Sequence, residues 1–335
     1  MTEAPATSAP RAQIYTFGDA GYFLGIVALV NSLRLTGNDD PIVVLDIGLE
    51  PRQRRLLERE CRFMDATPLQ GTSPWQLFPF PVFDEPHGVI AIVDADVIVT
   101  ADLEPYVEQA AGGGVVAFPD PHSDRWFAEW EGEFGLAAPV RTGQPYANAG
   151  LVVFSTVEHP TLLGQWWRCC ERLGGRPTAL DDGDIDSPVA YGDQDALNAL
   201  LASVVAPADV AIQPAGSALF VEDEFARMRV LDVSRLVCEH DGRRVVMLHR
   251  IFEDKPWQPS SWRTIRRTPY LRCLRRALSG PGLAIRVDDS DLPPWLRRGP
   301  RGMANAWVYH GVELAVRTRR WCRRRSLRRR PAVTG

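Results

Sequence analysis

The sequence predicts an α/β fold: a mixed, mostly parallel sheet flanked by helices, with a C-terminal helical extension. Two observations indicate this fold. Short apolar runs with strand character alternate along the chain with segments that have apolar residues at helical spacing. The length of 335 residues, of which 45% are hydrophobic and 24% charged, is sufficient for one large soluble domain with a substantial core.

The elements of the first half follow from periodicity and turn residues. In order they are a strand in QIYTF, a helix in GYFLGIVALVNSLRLTG, a buried strand in PIVVLDIG, a helix in PRQRRLLERECRFM, an apolar strand run with two aspartates in GVIAIVDADVIVT, and a helix in DLEPYVEQAA. A proline opens the second helix, and GGG ends the third. The four prolines of TSPWQLFPFPVFDEPHG interrupt any helix before the aspartates.

The second half continues the alternation. In order it contains strands in VVAFPD and AGLVVFS, a loop entering a helix in SPVAYGDQDALNALLA, and a last strand in RVVMLHRI, after which the chain is Arg-rich and helical. This alternation favours a largely parallel sheet covered on both faces. Ligands of such sheets bind outside the carboxyl ends of the strands, so polar residues at those ends are candidate site residues.

Composition divides the chain into four predicted parts. These are a disordered leader (1–12), a main domain (13–258), a helical extension (259–316) and an Arg-rich tail (317–335). The leader MTEAPATSAP lacks the basic and apolar regions of a signal peptide, and no apolar run is long enough to cross a bilayer. The cysteines have neither disulfide-framework nor zinc-site spacing; they are Cys61, Cys169, Cys170, Cys238, Cys273 and Cys322. We therefore expect a cytoplasmic protein with buried, reduced thiols.

The net charge of −4 hides a strongly basic C-terminus. Residues 317–330, RTRRWCRRRSLRRR, contain nine arginines and no acidic residue. The apolar residues before them lie along one helical side; they are Met303, Trp307, Val308, Val312 and Ala315. Such a basic helix predicts peripheral contact with an anionic membrane at its inner face, with a solvated tail as the alternative. No nucleic-acid-binding motif accompanies the charge, so nucleic acid is not an expected partner.

Asp94 and Asp96 form the first candidate site. They follow the apolar residues VIAIV, so both carboxylates emerge near the carboxyl end of a strand. Two adjacent carboxylates repel each other unless a cation neutralises them. His249 ends the later apolar run VVMLH and can point to the same edge. Two carboxylates and an imidazole suit Mn²⁺ or Mg²⁺, with imidazole favouring Mn²⁺; a charged turn and an ordinary core histidine are the alternatives.

The remaining histidines are interpreted as ordinary core or surface residues; they are His87, His122, His159, His240 and His310. Lys255 is the only lysine, beside 37 arginines, a bias typical of a G+C-rich bacterial genome. An ammonium is a compact point charge, whereas guanidinium is a planar fork, so a tight pocket around a phosphate oxygen would accept lysine and exclude arginine. Lys255 is therefore predicted to stabilise a pyrophosphate leaving group.

Five segments carry a resemblance to a known family. IYTFGDAGYFLGIVALVNSL, VDADVIVTADL, YANAGLVVFS, YGDQDALNALL and LHRIFEDKPW occur in the order, and at roughly the intervals, of family 8 glycosyltransferases, which have the Rossmann-like GT-A fold. The match covers residues 13–257. The resemblance implies a metal-dependent, retaining transfer of a sugar from a nucleotide-diphosphate donor, commonly a UDP-sugar. The basic C-terminus favours a glycan or lipid-linked acceptor of the cell envelope.

The resemblance also implies a role for each site residue. It implies that the metal is bound by Asp94, Asp96 and His249, and that the donor is contacted by Asp94, Asn148 and Lys255. It also implies that Asp193 holds sugar hydroxyls and that Gln194 lies on the face of the anomeric carbon opposite the leaving group. Asp19 and Tyr22 would bind the base and ribose. The catalytic residues are then Gln194, Asp193 and Lys255. Glutamine is a poor nucleophile, so Gln194 is expected to stabilise an oxocarbenium-like state in a front-face reaction, although double displacement stays open. Family members usually have a donor-binding arginine before the D-x-D, and its absence here leaves the donor sugar undetermined.

Two other function classes remain open. A non-catalytic nucleotide-sugar-binding protein would keep the same fold. A phosphohydrolase would use Asp94 as its nucleophile, but its lysine should precede an acidic G-D motif, whereas Lys255 follows YGDQD. The acidic segment LDDGDIDS, residues 180–187, is interpreted as a solvated loop, with a mobile lid of the acceptor cleft as the alternative.

Overall fold

The computed structural model describes residues 12–66, 69, 72–122, 124–174, 176, 185–251, 255–258 and 269–297. Residues 1–11 of the predicted leader 1–12, most of the acidic segment 180–187, and the whole chain from residue 298 onward lie outside the described residues. The basic tail and its membrane contact therefore stay predictions from sequence. Among the described helices, none combines the length and the apolar character needed to span a membrane.

The predicted α/β class is confirmed by the element order. The strands are β1 (Gln13–Gly18), β2 (Ile42–Asp46), β3 (Cys61–Met64), β4 (Val89–Val93), β5 (Val97–Val99), β6 (Val115–Pro119), β7 (Ala147–Ser155), β8 (Val210–Ile212), β9 (Ala218–Leu219), β10 (Arg229–Asp232), β11 (Val237–His240), β12 (Arg243–Arg244) and β13 (Met247–His249). The α-helices are α1 (Phe23–Leu35), α2 (Pro51–Leu57), α3 (Glu104–Ala111), α4 (Trp130–Phe134), α5 (Leu162–Leu173), α6 (Asp193–Ser203), α7 (Glu222–Arg227) and α8 (Pro269–Ser279).

The main sheet of the described residues has seven strands in the order β3-β2-β1-β4-β7-β6-β8. All neighbours are parallel except β7, which runs antiparallel to both β4 and β6. The first residues of β7 therefore lie beside the carboxyl ends of β4 and β6. Two three-stranded sheets, β5-β13-β9 and β10-β11-β12, complete the strand pairing of this part of the chain.

Apolar side chains cover both faces of the main sheet. Within β2, Ile42 and Val44 belong to one buried cluster, whereas Val43 and Leu45 belong to the other. This alternation follows from the two-residue repeat of a strand, and a strand buried on both faces reads as the continuous apolar run seen in the sequence. Helices α1 and α8 pack in the first cluster, and α5 and α6 in the second.

Two predicted elements differ in the structure. The helix predicted over residues 51–64 ends at Leu57, and its last part is strand β3. Both Cys61 and Met64 are buried, and β3 pairs in parallel with β2, so the sheet supplies hydrogen bonds that a longer helix would have replaced. The apolar run 88–100 is two strands rather than one, because the chain turns at the aspartates and β5 leaves the main sheet.

The segment with four prolines contains two short 3₁₀ helices, Pro74–Gln76 and Phe80–Asp84, and no α-helix, as predicted. The five described cysteines are free and buried, as predicted. Two of them, Cys238 and Cys273, are neighbours in space, with their Sγ atoms 3.6 Å apart.

Candidate active site

The D-A-D segment forms a tight turn at the carboxyl end of β4. The Asp94 amide donates to the Gly150 carbonyl at 2.9 Å, and the Val97 amide donates to the Asp94 carbonyl at 3.1 Å. The chain then enters β5, where Val97 pairs with His249 of the antiparallel strand β13. This pairing, rather than the main sheet, brings the histidine to the two aspartates.

The three predicted metal ligands meet in the structure. One ligand atom from each of Asp94, Asp96 and His249 lies within 4.8 Å of the others. The His249 Nε2 atom is 3.4 Å from an Asp94 oxygen and 3.3 Å from an Asp96 oxygen. No other group of three such ligands occurs within the described ranges. The three residues that the sequence placed at strand ends thus come together in the structure.

The orientation of His249 suits a metal ligand. Its Nδ1 lies 3.1 Å from Asn148 Oδ1, an oxygen that also accepts the Gly150 amide at 2.9 Å. Because the Asn148 Nδ2 group donates elsewhere, Oδ1 is an acceptor, so Nδ1 donates to it and Nε2 is the ring nitrogen that faces the carboxylates. A Cβ at Gly150 would overlap the imidazole, which explains the glycine after Asn148 and Ala149.

The charges of the cluster act strongly on one another. The pKa of Asp94 is raised to about 6, mainly by burial; His249 and Lys255 oppose this rise, and the charge of Asp96 adds to it. Burial would also raise the pKa of Asp96, but Lys255 and His249 together hold it well below its usual value. Burial lowers the pKa of His249, whereas the two carboxylates raise it above its usual value overall. The half-buried Asp94 carboxylate, the buried Asp96 carboxylate and the imidazole fit Mn²⁺ or Mg²⁺ by their donor chemistry.

Lys255 lies against the same carboxylate pair. Its Nζ atom is 2.5 Å from Asp96 Oδ2 and donates to the Arg250 carbonyl at 3.1 Å. The side chain is only 9% exposed, and the Tyr22 ring centre is 6.0 Å from Nζ. The two oxygens of Asp96 are therefore divided between the histidine and the lysine.

A second group of polar side chains lies at the start of β7. Asn148 donates to Asp120 Oδ2 at 2.8 Å and to Gln194 Oε1 at 3.1 Å. The Gln194 oxygen also accepts the Ala149 amide at 3.0 Å, and its Nε2 donates to Asp120 at 3.2 Å. Since every polar atom of the Gln194 amide has a partner, its orientation is fixed. This group joins the metal-ligand cluster through the contact between Asn148 and His249.

Asp193 begins helix α6 directly before Gln194. Burial, and then the charge of Asp94, raise the pKa of Asp193 well above its usual value. This coupling places Asp193 within electrostatic reach of the metal-ligand cluster. Its carbonyl accepts the indole N–H of Trp166 at 2.8 Å, which ties the helix start to α5.

Asp19 and Tyr22 lie on the other side of the cluster, after β1. The Asp19 carboxylate accepts the amides of Gly21 and Tyr22 at 2.8 and 3.1 Å, which forms a local turn. Asp19 lines a cavity of about 780 Å³, together with Asp46, Arg54 and apolar residues of β3 and the following segment. Burial raises the pKa of Tyr22, and the charges of Asp96 and Asp94 add to the effect. The structure thus places Tyr22 beside the carboxylates and Asp19 at the cavity.

Sequence reasoning missed the buried residue Asp120. It directly follows the apolar strand VVAFP, just as Asp94 follows VIAIV, so the same strand-end rule identifies it. Its second oxygen, Oδ1, accepts the His122 amide at 2.8 Å and lies 3.2 Å from the His122 ring nitrogen. His122, interpreted as an ordinary residue, therefore borders the site.

Sequence reasoning also missed a buried ion pair behind Gln194. Arg125 donates to both oxygens of Asp195, at 2.7 and 3.0 Å, and to the carbonyls of Ile185 and Ser187. The Tyr146 hydroxyl donates to the same carboxylate at 2.7 Å. Burial raises the pKa of Asp195 despite these donors. The pair connects the loop after β6, the segment before α6 and the start of β7, and no local sequence pattern indicates it.

No protein-family model and no curated protein matches the chain. Among solved structures, it is similar to apo WbbM, a bifunctional glycosyltransferase, at 15% identity over 80% of this chain and 51% of WbbM, with a TM-score of 0.52. An active-site mutant of LgtC has 19% identity over 74% of this chain and 90% of LgtC, with a TM-score of 0.48. The galactosyltransferase LgtC with donor and acceptor sugar analogues has 18% identity over 74% and 90%, with a TM-score of 0.47.

The chain spans about half the length of the WbbM chain that it matches. The likeness to WbbM extends over four fifths of this chain. The fold predicted from the resemblance is thereby confirmed: the chain has the GT-A-like fold of a glycosyltransferase.

Proposed function

We propose that the protein is a metal-dependent glycosyltransferase that moves a sugar from a nucleotide-diphosphate donor, a UDP-sugar, to a glycan or glycolipid acceptor with retention of configuration. One observation carries the proposal. Asp94, Asp96 and His249 converge at the carboxyl edge of a GT-A-like sheet, with the ammonium of Lys255 on the same carboxylate. The glycosyltransferase identity of the similar structures supports the reaction class.

The metal site would be built from the two carboxylates and the imidazole Nε2. A Mn²⁺ ion bound there would neutralise negative charge on the diphosphate as the leaving group departs. The ammonium group of Lys255 would neutralise part of the same negative charge. Its ammonium is nearly excluded from water, so its field acts on developing charge with little solvent screening.

The group around Gln194 would hold the sugar. The Gln194 amide is fixed by Asn148, Asp120 and the Ala149 amide, and such a preorganised dipole can stabilise positive charge at the anomeric carbon. In a front-face reaction the acceptor oxygen forms a bond to the anomeric carbon while the bond between that carbon and the diphosphate oxygen breaks. The proton of the acceptor hydroxyl passes to the departing diphosphate. Asp193 would hold sugar hydroxyls, and Asp19 and Tyr22 the nucleoside.

The first test is thermal unfolding with Mn²⁺ and a panel of UDP, GDP, ADP and TDP. A ligand at about one hundred times its Kd adds about 2.7 kcal/mol to stability, which raises the midpoint by several degrees. We expect one nucleotide to give a Mn²⁺-dependent shift that Asp96→Asn abolishes. Asp241→Asn is the matched control, because Asp241 is exposed in a left-handed turn that asparagine tolerates.

A donor-sugar assay with the selected nucleotide then measures transfer. No shift with any nucleotide would contradict the metal-diphosphate site. Binding without release of sugar would indicate a nucleotide-sugar-binding protein, and phosphatase activity on a generic phosphoester would indicate a phosphohydrolase. The peripheral membrane contact of the basic C-terminus is a separate proposal, which a vesicle co-sedimentation assay with and without residues 317–335 would test.

A further inference from the structure

The segment after helix α8 reaches the short stretch that carries Lys255. The indole N–H of Trp295 donates to the Pro256 carbonyl at 2.8 Å, and both residues are buried. Pro256 directly follows Lys255, so this hydrogen bond fixes the backbone next to Lys255, the residue that carries the ammonium group. The two partners are 39 residues apart in the chain.

Trp295 is itself held in place. The Arg275 guanidinium donates to the Trp295 carbonyl, with its Nε at 3.2 Å. The buried amide of Asn31 on α1 donates to the carbonyls of Ala277 and Ile285 at 2.8 and 2.9 Å, and accepts the Ile285 amide at 2.8 Å. These bonds fasten the segment 269–297 to α1. Trp295 is therefore part of the same packed unit as the helix beside the D-A-D turn.

The residues around Pro256 are held from the opposite side as well. The indole N–H of Trp257 donates to the Gly21 carbonyl at 2.9 Å. The Lys255 amide donates to the Gln258 side chain at 2.8 Å, and the Gln258 amide donates to the Lys255 carbonyl at 2.9 Å. A lysine side chain has several rotatable bonds, so its ammonium stays on Asp96 only if the backbone beneath it is fixed.

We propose that Trp295 is a positioning residue for Lys255: its indole N–H holds Pro256, and thereby holds the ammonium against Asp96. The consequence for catalysis rests on the proposed function, in which Lys255 contacts the diphosphate. Without this hydrogen bond the Pro256 carbonyl loses a buried donor, and the segment 255–258 moves away from the carboxylate more often.

The single lysine allows a direct test that needs no ligand. An N-hydroxysuccinimide ester acylates lysine but not arginine, so the modification rate of the peptide containing Lys255 reports one ε-amine. In wild type we expect slow modification, because the amine is buried on Asp96. Trp295→Phe removes the N–H and keeps an aromatic ring; we expect the rate to rise about tenfold, the size of one lost hydrogen bond with an unpaired acceptor.

Trp130→Phe is the matched control. Trp130 is also buried, and its indole N–H donates to the carbonyl of another proline, Pro188, at 2.6 Å. This variant should lose similar stability and leave the Lys255 rate unchanged. Equal rates in wild type and Trp295→Phe, or equal increases in both variants, would overturn the proposal. If Trp295→Phe does not fold, Arg275→Gln loosens the Trp295 carbonyl instead and should act in the same direction.

The second arm measures UDP affinity by calorimetry with Mn²⁺ present. We expect Trp295→Phe to weaken UDP binding about tenfold in the wild-type background. In a Lys255→Met background the same substitution should have no further effect, because Trp295 acts only through the Lys255 ammonium, which is then absent. Equal weakening in both backgrounds would show a general structural role and overturn the proposal. If wild type does not bind UDP while the modification rates change as expected, the positioning holds and the proposed UDP donor is wrong.

Discussion

Gly25 is a position where helix α1 packs closely against the candidate site. A Cβ there would lie 2.5 Å from the Ala95 carbonyl, in the middle of the D-A-D turn, and 2.8 Å from two ring carbons of Trp257. The turn is fixed by its own backbone hydrogen bonds, and Trp257 is fixed by Gly21. We therefore expect Gly25→Ala to push the helix and the turn apart.

The size of the effect follows from two opposing terms. Alanine in a helix interior is favoured over glycine by about 0.5–1 kcal/mol. An added methyl group in a well-packed core costs about 1–3 kcal/mol. The balance is a net destabilisation of about 0–2.5 kcal/mol, and we expect the upper part of this range because the closest neighbour is backbone and cannot rotate away. Because Ala95 lies between the two proposed metal ligands Asp94 and Asp96, any stabilisation by Mn²⁺ should fall as well.

Gly164→Ala is the matched control. Gly164 is also helical, and a Cβ there would meet only the end of the Arg168 side chain, at 3.7 Å. This variant keeps the favourable term of about 0.5–1 kcal/mol and lacks the clash. Thermal unfolding by circular dichroism, with and without Mn²⁺, measures both variants. The two midpoint shifts should have opposite signs, at about 2–4 °C per kcal/mol. A stabilised Gly25→Ala with an intact Mn²⁺ response would refute the close packing of α1 on the turn.

Three further substitutions test other parts of the site. Gly150→Ala should remove most of the Mn²⁺-dependent midpoint shift, because the new Cβ overlaps the His249 ring; an unchanged shift would exclude His249 as a ligand. Arg125→Met leaves the Asp195 charge buried and unpaired, so we expect the free energy of unfolding, measured with denaturant, to fall by about 3–5 kcal/mol. Adding Asp195→Asn should restore part of this loss. A fall of less than about 1 kcal/mol would contradict a structural role for the pair. Lys255→Arg keeps the charge but should weaken UDP binding with Mn²⁺ about tenfold or more in calorimetry, and unchanged affinity would disprove the need for a compact ammonium.

The sequence predicted the metal-ligand cluster because its signal is local. Asp94 and His249 each follow an apolar run, and in a largely parallel sheet such positions gather at one edge. Asn148 came from the family resemblance alone, and its position follows from strand direction. Because β7 is antiparallel to β4, its first residues lie at the edge where β4 ends. The same local rule identifies Asp120, which follows the apolar end of β6.

Other features could not be predicted because they depend on the choice of distant partners. CRFM has a pattern that fits either a helix continuation or a short strand, and only its pairing with β2 decides between them. Nothing in VDADVIV shows that β5 leaves the main sheet to pair with β13, yet this pairing positions His249. The ion pair of Arg125 and Asp195 joins residues 70 positions apart.

This non-local packing predicts that position 255 favours lysine over arginine. The ammonium of Lys255 fits between Asp96 Oδ2 and the Arg250 carbonyl, in a nearly closed space bounded by Tyr22. A guanidinium has five N–H donors in a planar fork, and in so small a space several of them would stay unpaired at a cost in free energy. The walls of this space come from the turn after β4, the residue before α1 and the residue after β13, so its shape is set by distant parts of the fold. The sequence reveals that the position is unusual, and the tertiary structure supplies the reason.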